Sequence, residues 1–264
     1  TLVYIPPRTV TSKSTDNDFG FGMAKKLGIW EKAGPGRKLK SFEITSRSDR
    51  EVVIKVAYSL EKPASLWKTT YTVYSDGAVT IEGSFTPGDK TLPVMPRFGM
   101  RMRIPAVFNL VEWYGRGPWE NYQDRFTASF VDVYKMPVDD LYYSYISPQE
   151  NGNRTDTRWV KFTGEDGTGL KFTGYPLLSW SALYYTQEDL TQKTRGSMHP
   201  TDLKKRNFIS LNIDDIQMGV GGDNSWGAWP HEKYRIQPVA RSYKFMIEPV
   251  KEERRQKYDL IVLT

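Results

Sequence analysis

The chain has 264 residues, 39% apolar, 26% charged and 14% aromatic, with 21 Gly and 16 Pro, a globular composition long enough to bury a full core. It contains no cysteine, which excludes disulfides, thiolate nucleophiles and cysteine-based zinc sites, and no run approaches the roughly 20 apolar residues of a membrane span. The net charge of +6 is spread over short groups (Arg101 with Arg103, Lys204–Arg206, Lys251–Lys257) that acids or hydrophobes dilute, so neither a nucleic-acid nor a membrane partner is expected.

The first residues, Thr1–Pro7, lack the basic start and apolar core of a signal peptide and read as a cut end; the compartment, cytoplasm or periplasm, stays open. Met23, Leu27 and Trp30 fall at i, i+4 and i+7 ahead of Gly34, which predicts a short helix. From there the chain reads with period two. Val52–Leu60 is a strand candidate. Trp67, Thr69, Tyr71 and Val73 share one face, Asp76-Gly77 predicts a two-residue turn, and Val79, Ile81 and Phe85 return. Phe98, Met100, Met102 and Ile104 alternate with Gly99, Arg101 and Arg103, giving a strand with one buried and one basic, solvated face. Further strands are expected at Ala128–Tyr134, Trp159–Thr163 with Leu170–Thr173, Phe208–Ile213 and Tyr243–Ile247. Thr186 followed by Asp189 resembles a helix cap. Many short strands with Gly and Pro turns predict an all-β antiparallel sandwich in one domain. The tail beyond Pro249 mixes charges and closes with Leu260, Ile261, Val262 and Leu263, which could pair at a sheet edge or equally be disordered.

Chemistry is sparse. Only His199 and His231 are available, without metal-binding spacing, and no Gly-x-Ser-x-Gly occurs. The glycines of Met218-Gly219-Val220-Gly221-Gly222-Asp223 resemble a phosphate loop only superficially, since no Lys-Ser/Thr or helix-forming run follows. Two Glu-Asn steps, Glu120-Asn121 and Glu150-Asn151, admit a glycosidase reading, because paired carboxylates break glycosidic bonds at a set separation. The structural reading outweighs it: Glu and Asn in turn-rich segments hold backbone amides and nearby arginines such as Arg116, Arg125, Arg154 and Arg158. Trp226, on a Gly-Asp-Asn loop, is either a platform for the C–H face of a sugar, with Asp223 and Asn224 free to bind hydroxyls, or a core aromatic beneath the loop.

Four motifs occur in order: Thr15-Asp16-Asn17-Asp18; Gly115-Arg116-Gly117-Pro118-Trp119-Glu120-Asn121-Tyr122 with Asp124-Arg125; Pro148-Gln149-Glu150-Asn151-Gly152; and Met218–Gly227 with its Gly-Gly-Asp-Asn-Ser-Trp. Together they resemble the C-terminal, or small-chain, domain of glycoside hydrolase family 2 β-galactosidases, over Thr15 to about Pro249. The resemblance implies a large antiparallel β-supersandwich like that of galactose mutarotase. It divides the chain into an atypical segment 1–14, the domain at 15–250 and a charged tail at 251–264. It implies that the intact enzyme hydrolyses terminal β-D-galactosides by the retaining route, with its catalytic glutamates, Mg and Na on a preceding barrel that this chain is too short to contain. No catalytic residue, metal or cofactor is then expected here. Trp226 maps onto the family's sugar-pocket tryptophan and would contribute about 1 to 3 kcal/mol as an apolar platform. Asp223, Asn224 and Ser225 shape its loop, and Asp16, Asn17, Asp18 and Gly20 are pocket-rim candidates. The expected partners are the barrel and a galactoside, with homo-oligomers an option. One departure stands out: Thr9–Ser14 replaces the aromatic-Trp-Arg-Ala-Pro run usual before Thr-Asp-Asn-Asp, so the first strand is absent or out of place. Two other readings share the fold: a stand-alone carbohydrate-binding or aldose 1-epimerase protein, with Glu120 or Glu150 as base and His199 or His231 as acid, and a structural module that only cements an oligomer.

Overall fold

The structure, a computed structural model, describes residues 2–3, 23–88, 91–191, 198–224 and 228–251. Among these residues one α-helix, α1 (Met23–Glu31), accompanies twelve strands: β1 (Leu2–Val3), β2 (Arg37–Arg47), β3 (Glu51–Leu60), β4 (Ser65–Tyr74), β5 (Val79–Thr86), β6 (Arg97–Pro105), β7 (Leu110–Gly117), β8 (Phe130–Pro137), β9 (Arg154–Thr163), β10 (Gly169–Leu183), β11 (Phe208–Gln217) and β12 (Arg241–Val250). Every pairing among them is antiparallel. The all-β antiparallel expectation holds.

The strands form one hydrogen-bonded network that folds over on itself at β10. The first half of β10, Gly169–Tyr175, pairs with β12, and its second half, Ser179–Leu183, pairs with β11. Pro176 lies between the halves, where a residue without an N–H cannot continue a ladder, and the register with β9 shifts across the same gap. The order β6-β11-β10-β12-β5-β4 would hold β6 and β4 about 24 Å apart in a flat sheet. Instead Phe98 of β6 lies 5.4 Å from Trp67 of β4 and 5.5 Å from Tyr243 of β12, ring centre to ring centre. The two halves therefore face one another across a shared core, as in a sandwich.

Tryptophans anchor that core. Trp30, Trp67, Trp113 and Trp180 are fully buried, each worth at least about 1.5–3 kcal/mol of apolar burial. Each indole N–H is satisfied: Trp67 donates to Thr69 Oγ1 (2.9 Å), Trp180 to Thr157 Oγ1 (3.0 Å), Trp113 to Arg116 O (3.0 Å) and Trp30 to Val94 O (3.0 Å). In the helix, Leu27 and Trp30 face inward as the spacing predicts.

Some expectations change. The β4–β5 turn is Ser75-Asp76-Gly77, three residues rather than two, because Tyr74 N–H still bonds Ala78 O (2.9 Å) and Gly77 alone takes positive φ (+92°). Asp76 instead accepts from Ala78 N–H (2.9 Å), which stabilises this longer turn. The Thr186/Asp189 capping bonds form, Thr186 N–H to Asp189 Oδ2 (2.8 Å) and Asp189 N–H to Thr186 Oγ1 (3.2 Å), yet among the described residues they close a single turn rather than a helix. The basic face of β6 is only partly open to solvent: Arg103 is exposed, whereas the Arg101 side chain is 14% exposed and donates to Glu188 (2.7 Å). Burial, then Arg103 and Arg97, push its guanidinium down to about 10. β2 and β7 carry no predicted counterpart. At the chain start, Leu2–Val3 pairs with Met102 and Arg101 of β6. The apolar end of the tail lies outside the described residues.

Candidate functional site: a cavity where three motifs converge

β7 ends at Gly117 because Pro118 has no N–H to offer. The segment that follows is pinned by its own side chains. Glu120 Oε2 accepts the Gly152 N–H (2.7 Å), while Oε1 accepts Arg125 Nη2 (2.5 Å) and the Tyr145 hydroxyl. Asn121 Oδ1 accepts both the N–H (2.8 Å) and the hydroxyl (2.6 Å) of Thr155. Asn121 N–H donates to Asn153 O, and Asn153 Nδ2 donates to Asn121 O, each at 2.8 Å. The second and third motifs are thus zipped together. Of the two readings of Glu120, the structural one describes its surroundings, and Arg125 is the partner expected from its nearness in sequence. Burial, then the bond to Glu120, push the Tyr145 hydroxyl up to about 12. Burial opposes the charge on Arg125, but Tyr145 and Glu120 outweigh it and hold the guanidinium above its ordinary range.

Glu150 joins a deeper cluster. It accepts Arg97 Nη2 (2.9 Å) on Oε1 and Gln187 Nε2 (3.4 Å) on Oε2. Arg97 Nε lies 3.0 Å from Asp214 Oδ2, and its Nη2 also donates to Gln217 Oε1. Arg97, Glu150 and Asp214 side chains are 1–4% exposed. The β6–β11 register places Asp214 opposite Gly99 and Gln217 opposite Arg97. A Cβ at position 99 would stand 1.9 Å from the Asp214 carboxylate, so glycine makes the space that the acid fills. Burial works against the charge on Arg97, yet Glu150 and Asp214 together raise its pKa.

The fourth motif closes the hollow. Gly219 N–H donates to Tyr234 O (2.9 Å) and Gly221 N–H to Asp124 Oδ2 (2.7 Å). A Cβ on Gly219 would come within 2.7 Å of the same carboxylate, and one on Gly222 within 1.9 Å of Ala228 O. Asp223 Oδ1 meets His231 Nε2 at 2.7 Å, and Asn224 Oδ1 accepts the Ala228 N–H at 3.4 Å. Both contacts join the two ends of the loop. Ser225 and Trp226 lie outside the described residues, as do Asp16, Asn17, Asp18 and Gly20.

Between these segments is a cavity of about 500 Å³ whose wall includes Tyr122, Asp124, Arg125, Glu150, Gly221, Asp223, His231 and Lys233, a volume suited to a small ligand. Tyr122 OH and Asp124 Oδ1 are buried there with no hydrogen-bond partner among the described residues. Burial, then Glu120 and Glu150, push the Tyr122 hydroxyl well above 10, which keeps it a neutral donor. His199 caps a short turn through Asp202 (backbone N–H to Oδ2, 2.8 Å) and does not line the cavity. His231 does, but both oxygens of Glu120 and of Glu150 already have partners, which leaves neither carboxylate poised as a base. Arg97, Asp214, Tyr145, Lys233 and Tyr234 were not singled out from the sequence. The parity of β6 puts Arg97 on the face of Gly99 and Arg101, which the sequence reads as solvated, so it gave no signal of the burial found here.

An all-β sandwich with a polar, ligand-sized cavity at converging loops is a scaffold able to hold a small molecule. The family described as beta galactosidase small chain matches residues 6–247, and the chain belongs to it. It is 34% identical over 238 residues to a β-galactosidase of Priestia megaterium, covering 89% of this chain and 22% of that protein. It is 32% identical over 254 residues to one of Lactobacillus delbrueckii subsp. bulgaricus, covering 94% and 24%. The chain therefore spans less than a quarter of these relatives' length and corresponds to their small-chain domain. Among solved structures, a galactose mutarotase related enzyme from Lactobacillus acidophilus aligns with a TM-score of 0.39 and 8% identity, covering 81% of this chain and 73% of that one. A GalM/aldose epimerase homologue from C. elegans aligns with a TM-score of 0.41 and 12% identity, covering 81% and 70%.

Proposed function

We propose that the chain forms one wall of the galactose pocket of a retaining β-galactosidase and is catalytically silent alone. The observation that carries this reading is the convergence of three separate motifs on one cavity, with Gly221–Asp223 in its wall immediately before Trp226. The Tyr122 hydroxyl and Asp124 Oδ1, without a hydrogen-bond partner among the described residues, support a ligand rich in hydroxyls, a donor facing one and an acceptor facing another. Trp226 then supplies an apolar platform and excludes water, and Asp223 and Asn224 hold the loop ends that carry it. Asp16, Asn17, Asp18 and Gly20 complete the rim. The acid/base and nucleophile, with the Mg and Na of the family, belong to a barrel outside this chain, which is its principal partner. The silence follows from the engaged oxygens of Glu120 and Glu150.

The test is a titration of the purified chain with galactose followed by NMR, together with a nitrophenyl β-galactoside assay. Millimolar binding that weakens at least about tenfold in Trp226→Ala, with no hydrolysis, is expected. Turnover by the chain alone would overturn the silent role, and galactose binding untouched by Trp226→Ala would overturn the pocket wall. Accelerated mutarotation of α-D-galactose would instead favour the stand-alone epimerase.

A further inference from the structure

The Arg125 and Tyr145 side chains have a second face. They also line another hollow, of about 750 Å³, whose wall includes Trp119, Phe126, Tyr142 and Tyr143. Trp119 is 69% exposed and Tyr143 59% exposed. Exposed rings of this size are ordinary on floppy loops, but Trp119 is not on one. Pro118 O accepts Arg154 Nη2 (3.1 Å), Trp119 O accepts Asn121 Nδ2 (3.0 Å), and the Glu120 side chain is tied at both oxygens. The backbone is fixed on both sides of an indole that remains in solvent. Tyr143 is held likewise, its ring centre 4.6 Å from that of Tyr145, whose hydroxyl is bonded to Glu120. A ligand meeting rings already held in place loses little ordering entropy to them.

The polar groups of the hollow narrow its occupant. Glu120 and Arg125 neutralise one another, and the buried Arg154 of the wall is balanced by the Asp140 carboxylate, so no net positive charge is left to draw a polyanion. Aromatic faces beside hydrogen-bonding side chains fit a neutral polyhydroxylated ring, whose C–H face stacks while its hydroxyls reach the rim.

We propose that this second hollow binds the further sugar units of an oligosaccharide whose terminal galactose sits in the first cavity, with Trp119 and Tyr143 stacking on them and Arg125 donating across the shared wall. This rests on the galactose-wall reading for the first cavity.

The experiment is an NMR titration of the chain with galactose and with a β-1,4-linked galactotetraose, for the parent and for Trp119→Ala, Trp119→Tyr, Tyr143→Ala and Asp223→Ala. Both rings are exposed, so their removal leaves the fold intact. The tetraose is expected to bind at least about tenfold more tightly than galactose. Trp119→Ala should erase that advantage while leaving galactose affinity unchanged, and Trp119→Tyr should restore most of it. Tetraose binding that depends on Trp119 while galactose does not bind would support the hollow and sink the first cavity as a galactose site. Tetraose affinity equal to that of galactose, or reduced by Asp223→Ala but not by Trp119→Ala, would overturn the hollow and leave the first cavity standing. A Trp119→Ala variant that changes only the sedimentation of the chain would assign the rim to contact between polypeptides and overturn the proposal.

Discussion

The floor and the wall of the first cavity both set carboxylates against nitrogen-bearing side chains, under opposite conditions. At the floor, Arg97 lies between Glu150 and Asp214 with all three side chains 1–4% exposed. At the wall, the Asp223 and His231 side chains are 74% and 56% exposed. Water screens the second pair and not the first, so an interaction of similar length is structural in one place and only positional in the other. The lesson is that burial, not contact length, separates the fixed floor of the cavity from the screened contact at its wall.

The largest expected effect is at the floor. Arg97→Met would leave Glu150 and Asp214 buried without their cation, and should cost about 3–5 kcal/mol in urea unfolding; a loss below about 1 kcal/mol would mean that water already reaches the cluster and that the contrast is false. Glu150→Gln keeps the shape and leaves Arg97 its bond to Asp214, so a loss of about 1–3 kcal/mol is expected. Between floor and wall stands Tyr145. Its folded pKa of about 12 lies above the value near 10 of an unfolded chain, so its contribution is complete below pH 10 and is lost as pH rises toward 12. Tyr145→Phe should therefore flatten the alkaline decline in stability over that window, and an unchanged slope would remove Tyr145 from the account. The smallest effect is at the wall: His231→Ala should shift stability by less than about 0.5 kcal/mol while weakening galactose binding through the loop, and a large loss of stability would erase the distinction between the two regions.

Period two made most strands legible because one face of each is buried and the other is not. The alternation predicted for Phe98–Ile104 appears in the burial of β6 from Met100 onward, while Gly99 is buried too. β2 escaped because it is almost entirely exposed; it is a strand only through its pairing with β3. β7 escaped because Gly115-Arg116-Gly117 reads as turn sequence, whereas those glycines serve close packing: a Cβ at position 115 would meet Thr157 Cα at 2.8 Å. In the site, the Glu120–Arg125 pair was legible because five residues separate its members. The Arg97–Glu150 contact was not, since 53 residues intervene and nothing local marks Arg97 as a buried cation.

The sequence by itself determined the all-β class, the order of the four motifs and the local ties within each, because alternation, turn chemistry and short-range hydrogen bonding act over a few residues. Only the tertiary structure decided that β10 would divide its partners between two layers, that Arg97, Glu150 and Asp214 would meet beneath one cavity, and that Trp119 would stay in solvent on an immobile backbone. Such outcomes depend on strand register and on distance through a low-dielectric interior, quantities that exist only once the chain has closed upon itself.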